Sequence, residues 1–377
     1  MKLIERPWNV VTGKGNLENL HVLKHFPVFF GCVDTDPDED LFADMHWCID
    51  PETGVIQLSK LIPLEILYQM QHVDGCGPTW GKYYEEFSAF ISSHNPGHVL
   101  EIGGGQGKIA EIVTSQKNNT FWTIVEPNPA HRGSDRIEIL RSFFDEKFEY
   151  EGTIDTVVFS QVLEHAYDPR SFVSTIARFL PANGKLIFAY PNLELWLRKK
   201  YTNALNFEHT MFLTDHHVDY LLQKNGFYIS DKRVYGEHSF FYLVEKKEQK
   251  LETSQPPNKY REYKAIFNEF VDYHTKVVED LNKRIIDNNV PIYLFGAHIF
   301  SQYLLCFGLN QNRIISILDN SKTKQGKRLY GTHFRVESPS VLRGLKKATV
   351  ILKAGIYNEE IKKDILNNIN RNVMFWE

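Results

Sequence analysis

Three clusters of residues in this chain have the types and spacing that chemistry needs. The first, Val99-Leu100-Glu101-Ile102-Gly103-Gly104-Gly105-Gln106-Gly107, puts an acid at the end of an apolar run and alternating glycines in the turn after it. Glycine has no Cβ and tolerates positive φ, so a ligand can approach such a turn closely. A helix beginning at Lys108 would add free N–H groups and the positive end of a dipole, which suit a carboxylate or phosphate. The next apolar run ends in Glu126-Pro127, and an acid there can accept hydrogen bonds from both hydroxyls of a ribose. The spacing Gly103-x-Gly105-x-Gly107 departs from the dinucleotide pattern GxGxxG and favours S-adenosylmethionine (SAM) over NAD. The contacts expected for that cofactor are Glu101, Gly103, Gly105, Gln106, Glu126 and Pro127.

The second cluster is Ser160-Gln161-Val162-Leu163-Glu164-His165, closed by Asp168, and the third is Glu208-His209. Histidine titrates near neutrality and suits a general base. The chain holds 15 histidines, most of which must be structural, so their place in a motif is what singles out His165 and His209.

These clusters need a scaffold that gathers strand ends. Residues 98–102, 120–125, 156–159 and 185–190 read as buried strands, separated by helical stretches that include 108–113 and 168–179. Pro181 and Gly184 stop the latter. This rhythm predicts an α/β fold, a parallel sheet covered by helices on both faces. The segment before it is irregular, with an acidic loop over 34–40 and a strand over 55–58. Beyond a polar linker at 247–258, with Pro256-Pro257, apolar residues from Tyr263 to Ile285 recur at three and four positions and predict a long amphipathic helix. Strands at 290–295, 314–318 and 348–352 then predict a second, smaller α/β domain. The expected organisation is a small lobe over 1–77, a cofactor domain over 78–246, a linker and long helix over 247–288, and a closing α/β domain over 289–377.

A chain of 377 residues exceeds the size of one compact core. Its net charge of −4 gives no general attraction to nucleic acid or anionic lipid, so neither is expected as a partner. The run 290–312 carries Pro291, Gly296, His298 and Ser301 and reads as strand, turn and buried helix instead of a membrane span. The start has no basic segment followed by an apolar stretch, which points to the cytoplasm. Cys32, Cys48, Cys76 and Cys306 form no CxxC pair and read as free thiols.

From Glu101 to Asp168 the chain resembles class I SAM-dependent methyltransferases, and as a whole it resembles the three-domain sugar C-methyltransferases. Those enzymes act on nucleotide-linked 4-keto-deoxysugars and join a zinc lobe, a methyltransferase core and a C-terminal α/β domain. The likeness is carried by Phe207-Glu208-His209-Thr210-Met211-Phe212-Leu213-Thr214 with Asn225-Gly226-Phe227, by Leu294-Phe295-Gly296-Ala297 and Ile317-Leu318-Asp319-Asn320-Ser321, and by Gly15-Asn16-Leu17-Glu18 and Gly54-Val55-Ile56-Gln57-Leu58. The resemblance implies Ser160 and Gln161 as further SAM contacts. It also implies His209 as the base that removes a proton beside a ketone, Glu208 as its neighbour, and His165 as a group that holds the carbonyl oxygen or relays the proton.

The departures bear on function. Asn9 and Thr12 stand where the family has its first CxxC pair, and of the second only Cys48 remains, with a scattered His46, so a metal-free lobe and no metal site are expected. A family tyrosine falls on Asn206, and the family's tyrosine-rich stretch is echoed only by Trp80, Tyr83 and Tyr84. An O-methyltransferase acting on a sugar, glycan or phosphorylated metabolite, and a non-catalytic methyltransferase-like binding protein, stand as alternatives. A hydride-transferring enzyme is more distant, since Gly296-Ala297 is only a degenerate glycine turn.

Overall fold

The computed structural model describes residues 1–68, 78–247, 254–354 and 358–377. Cys76, the expected boundary at 77 and the middle of the expected linker lie outside the described residues. The chain divides into two units, each assembled from separated stretches: Met1–Glu18, Ile49–Trp196 and Glu208–Tyr260 in the first, and Asn19–Cys48, Leu197–Phe207 and Arg261–Glu377 in the second.

The first unit is built on a seven-stranded sheet. In chain order its strands are His98–Ile102, Phe121–Val125, Ile137–Leu140, Thr156–Ser160, Lys185–Pro191, Phe227–Tyr235 and Ser239–Lys246. In space they run third, second, first, fourth, fifth, seventh, sixth. The first five pair in parallel, while the seventh is antiparallel to both of its neighbours. The first and fourth strands lie side by side at the point where the order reverses, and ligands of open α/β sheets bind outside strand ends at such a point. This is the Rossmann-like core the sequence rhythm predicts. Its central fourth and fifth strands are buried except at Ser160 and Lys185, which is why they read as continuous apolar runs. On one face the helices Pro78–Ser93 and Lys108–Gln116 cover a core of Tyr83, Phe87, Ile91, Ile109, Val113 and Trp122. Each large apolar side chain buried there contributes about 1.5–3 kcal/mol.

Two short pairings join the start of the chain to this unit. Ile4–Glu5 lies antiparallel to Lys60–Leu61, and Ile56–Leu58 antiparallel to Met211–Phe212. Arg6 is buried between them. Its guanidinium donates to the carbonyls of Leu58, Tyr167 (3.1 Å) and Thr210 and to the Thr210 hydroxyl (3.2 Å). Desolvation pushes its pKa down to about 9.

The second unit has a five-stranded, wholly parallel sheet in the order Val336–Glu337, Ile314–Leu318, Ile292–Phe295, Ala348–Leu352, Val373–Trp376. The long helix Tyr260–Asp287 buries Val278, Leu281 and Ile285 against it, as the three-and-four spacing requires. The 290–312 run resolves into the strand Ile292–Phe295 and the helix Ile299–Cys306, and no helix among the described residues is long and apolar enough to cross a membrane.

Candidate active site

The glycine turn leaves the first strand at Ile102. Gly103 has φ +73°, and a Cβ there would meet Val162 Cγ2 at 2.8 Å; at Gly107, φ +72°, it would meet the His131 ring at 2.8 Å. Only glycine fits either place. Gly103 is exposed, Gly105 and Gln106 are half-buried, and the helix Lys108–Gln116 begins at Gly107 with no side chain capping its N–H groups. The turn therefore keeps an open backbone cradle with free donors beside it.

The two acids behave differently. Glu126, half-buried at the end of the second strand, accepts from the amides of Asn128 (3.0 Å) and Gly105 (3.4 Å), which fixes one side of its carboxylate at the turn. Pro127 beside it is half-buried. Glu101 is buried, and its Oε2 accepts from the Trp122 indole (2.7 Å) beneath Gly104. It supports the floor of the turn.

Ser160 and Gln161 end the fourth strand. Ser160 Oγ lies 2.6 Å from the Tyr83 hydroxyl, and Gln161 Nε2 donates to Tyr83 Oη (3.1 Å) and Ser239 Oγ (2.9 Å). Ser239 is in turn 2.5 Å from His238 Nδ1, whose ring lies among Trp80, Tyr83 and Trp196. Burial pushes the His238 pKa down to about 4. Gln161 has φ +55°, a conformation costing a non-glycine residue about 1–2 kcal/mol. The sequence named Ser160, Gln161, Trp80 and Tyr83 separately but neither Ser239 and His238 nor the bonds that join them, because the members come from the fourth strand, the helix Pro78–Ser93 and the hairpin around His238.

Beyond Gln161, Val162 leads into the single turn Leu163–His165, and Asp168 caps the helix Pro169–Phe179 by accepting from the amides of Arg170 and Ser171. His165 and His209 converge, with ring centroids 5.1 Å apart. The backbone brings them together. The Thr210 amide donates to the Glu164 carbonyl (3.1 Å), the Thr210 hydroxyl to the Ala166 carbonyl (3.0 Å), and Arg6 bonds both sides of the junction. Glu208 is buried beside His209. Glu164 is 1% exposed, and burial pushes its carboxyl up to about 8. Tyr68, another residue the sequence did not single out, feels the charges of Glu208, Glu164 and Glu126 and is pushed well above the ordinary phenol range, chiefly by burial.

The lobe that the resemblance would furnish with zinc has a different donor set. Asn9 Oδ1 accepts from the amides of Val11 (2.7 Å) and Thr12 (3.2 Å), and Asp50 Oδ1 accepts from the amides of Glu52 (3.0 Å) and Thr53 (2.7 Å). The two turns are cross-linked through Thr53 Oγ1, which accepts from Asn9 Nδ2 (3.0 Å) and donates to Asp50 (2.7 Å). Amide, hydroxyl and one carboxylate engaged with one another do not fit a structural zinc. The second of these turns is Asp50–Thr53, one the sequence reading did not recognise when it pointed to Cys48 instead.

Residues 78–231 match the family model of a methyltransferase domain. No curated protein matches the chain. Solved structures similar to it include an O-methyltransferase family protein from Burkholderia thailandensis (14% identity, TM-score 0.38, 45% of this chain and 57% of that one). Others are the N-methyltransferase NodS from Bradyrhizobium japonicum WM9 (13%, 0.36, 46% and 98%) and a putative SAM-dependent methyltransferase from Listeria monocytogenes (13%, 0.38, 45% and 100%). The chain thus spans 57% of the length of the first of these. The matched segment carries the glycine turn, Glu126 and the Glu164-His165 turn, and it is this segment that is similar to a methyltransferase domain.

Proposed function

We propose that this enzyme transfers a methyl group from SAM to a carbon beside a ketone on a nucleotide-linked deoxysugar, with His209 as the base. The observation that carries the reading is the convergence of His165 and His209 beside the end of the fourth strand, in the unit that also holds the glycine turn. SAM supplies an electrophilic methyl group and needs no metal to do so. For the cofactor, the free lone pairs of the Glu126 carboxylate suit the ribose hydroxyls, the open turn from Gly103 to Gln106 suits close passage of the ligand, and the uncapped N–H groups at Lys108 suit its carboxylate. Ser160 and Gln161 would meet its methionine part through their outer edges. For the acceptor, His209 removes the proton next to the ketone, Glu208 orients the imidazole, and His165 donates to the oxygen on which negative charge grows. The domain organisation proposed with this reading is a lobe over 1–77, a methyltransferase domain over 78–246, a linker and helix over 247–288 and a closing domain over 289–377, acting in the cytoplasm.

A second reading, transfer to a hydroxyl oxygen, is favoured by Asn206, which stands where the resemblance would put a tyrosine. One experiment separates the two. With a 4-keto-deoxysugar nucleotide in heavy water and no methyl donor, the wild type should exchange the proton beside the ketone and His209→Ala should not. With SAM present the variant should lose about a hundredfold to ten-thousandfold in turnover while cofactor affinity stays near normal. Methyl transfer without exchange would put the oxygen acceptor in front, and full activity in the variant would end the role of His209 as base.

A further inference from the structure

We propose that Glu164, His165 and His209 together bind a divalent transition-metal ion of the zinc or cobalt class, and that this ion, when bound, silences the base. Each of the three residues offers one ligand atom, and these atoms all lie within 4.8 Å of one another. Zinc bonds of about 2.0–2.1 Å hold tetrahedral ligands about 3.3 Å apart, so modest side-chain rotations close the set. The backbone is already in register for it, because the Thr210 amide bonds the Glu164 carbonyl and Arg6 bonds the carbonyls of both Tyr167 and Thr210. Support of this kind behind ligands is what fixes their orientation in metal sites.

The independent sign is on Glu164. Its carboxylate is buried, and Oε2 has no hydrogen-bond partner among the described residues. A buried carboxyl oxygen left so costs free energy, and a cation at the centre of the three ligands supplies what is missing. Two imidazoles and one carboxylate select borderline ions over magnesium or calcium, which prefer all-oxygen sites. Three protein ligands also leave a coordination position open. The ion departs from the sequence-based expectation of no metal, and the reason is that Glu164-His165 and His209 come from distant segments with no ligand spacing to announce them. A metal-bound imidazole has no lone pair for a proton, so occupancy removes His209 from its chemistry. That second half rests on the reading of His209 as base; the metal site itself does not.

The test uses the full chain without SAM or acceptor, titrated with cobalt(II) and followed by visible absorption, and with zinc by calorimetry. One ion should bind, giving the ligand-field bands of a low-coordinate cobalt site and no thiolate charge-transfer band, which excludes Cys48 as the origin. Glu164→Gln keeps the buried shape and His209→Ala removes one ring, and each should weaken binding by about tenfold or more, with the fold checked by circular dichroism. Absence of the bands, or equal affinity in both variants, would overturn the site. Zinc at saturating concentration should stop the heavy-water exchange, and exchange that continues would overturn the silencing. Cobalt bands without any exchange in the metal-free wild type would instead sink the base reading and leave the metal site standing.

Discussion

At the scale of single residues, the two acids that end neighbouring strands meet different partners, Glu101 the Trp122 indole and Glu126 the Gly105 amide. Glu101 and Glu126 each close an apolar run, so a sequence reading finds them, but only the structure separates a buried support bonded to Trp122 from a half-exposed carboxylate beside Gly105. The difference makes a prediction. Glu126→Ala should weaken SAM binding by about 1.5–3 kcal/mol, the range for hydrogen bonds to a charged group, and calorimetry will measure it. Affinity unchanged by the substitution would remove Glu126 from the ribose site. Gln161 is a residue the motif located and physics qualifies. Its side chain is held by Tyr83 and Ser239, 78 residues away on either side, and its left-handed backbone is paid for by that bonding. No local pattern in the sequence carries either fact.

At the scale of elements, the buried strands of the first sheet were legible because both of their faces are covered and their residues run apolar without a break. Ile137–Leu140 and the hairpin Phe227–Tyr235 with Ser239–Lys246 were not anticipated. The first is four residues long and partly exposed, and the strand Phe227–Tyr235 carries Asp231, Lys232 and Arg233 at the sheet edge, where charge prevents further pairing but hides the strand signal. The helix Asp215–Lys224 shows how one residue can tie an element to the lobe. His217 Nδ1 accepts from the Thr214 amide (3.2 Å) at the helix start, while Nε2 lies 3.2 Å from the Thr53 carbonyl and donates to it in that tautomer. Burial pushes its pKa down to about 4, so the folded chain holds it neutral while the unfolded chain protonates it near 6.5. Its contribution is therefore complete above pH 6.5, is lost as pH falls from 6.5 to 4, and amounts to about 3 kcal/mol over that window. His238, His274 and His298 are shifted the same way, also chiefly by burial, so wild type alone cannot isolate the effect. Urea midpoints at pH 7.5 and pH 4.5 should differ less in His217→Gln than in the wild type, and equal differences would assign the slope to the other histidines.

At the scale of the whole molecule, periodicity locates elements but says nothing of which distant segments share a unit. The acidic stretch over 34–40 reads as a surface loop in the sequence, yet it belongs with the C-terminal sheet in the second unit. The main tie is a buried ion pair, beside an exposed one between Asp34 and Lys327. Arg328 grips Asp40 with two bonds, Nη1 to Oδ2 (2.5 Å) and Nη2 to Oδ1 (2.9 Å), and also donates to the Thr35 carbonyl. The Asp40 side chain is 1% exposed and that of Arg328 8%, and the Gly331 amide adds a further bond to Asp40 (2.8 Å). Removing one member of a buried pair strands the other charge, which costs about 3–5 kcal/mol, whereas replacing both with apolar groups of similar shape is often close to neutral. Asp40→Ala should therefore lower the stability of the second unit by that amount and raise hydrogen exchange over 34–40 and 328–332, and Asp40→Leu with Arg328→Met should recover most of the loss. If the single and double variants were equally unstable, the hydrogen bonds to Thr35 and Gly331 would be what holds the stretch. If neither lost stability, the pair would hold nothing and the attachment of 34–40 would rest on the strand pairing of Cys32–Val33 with Arg328–Leu329.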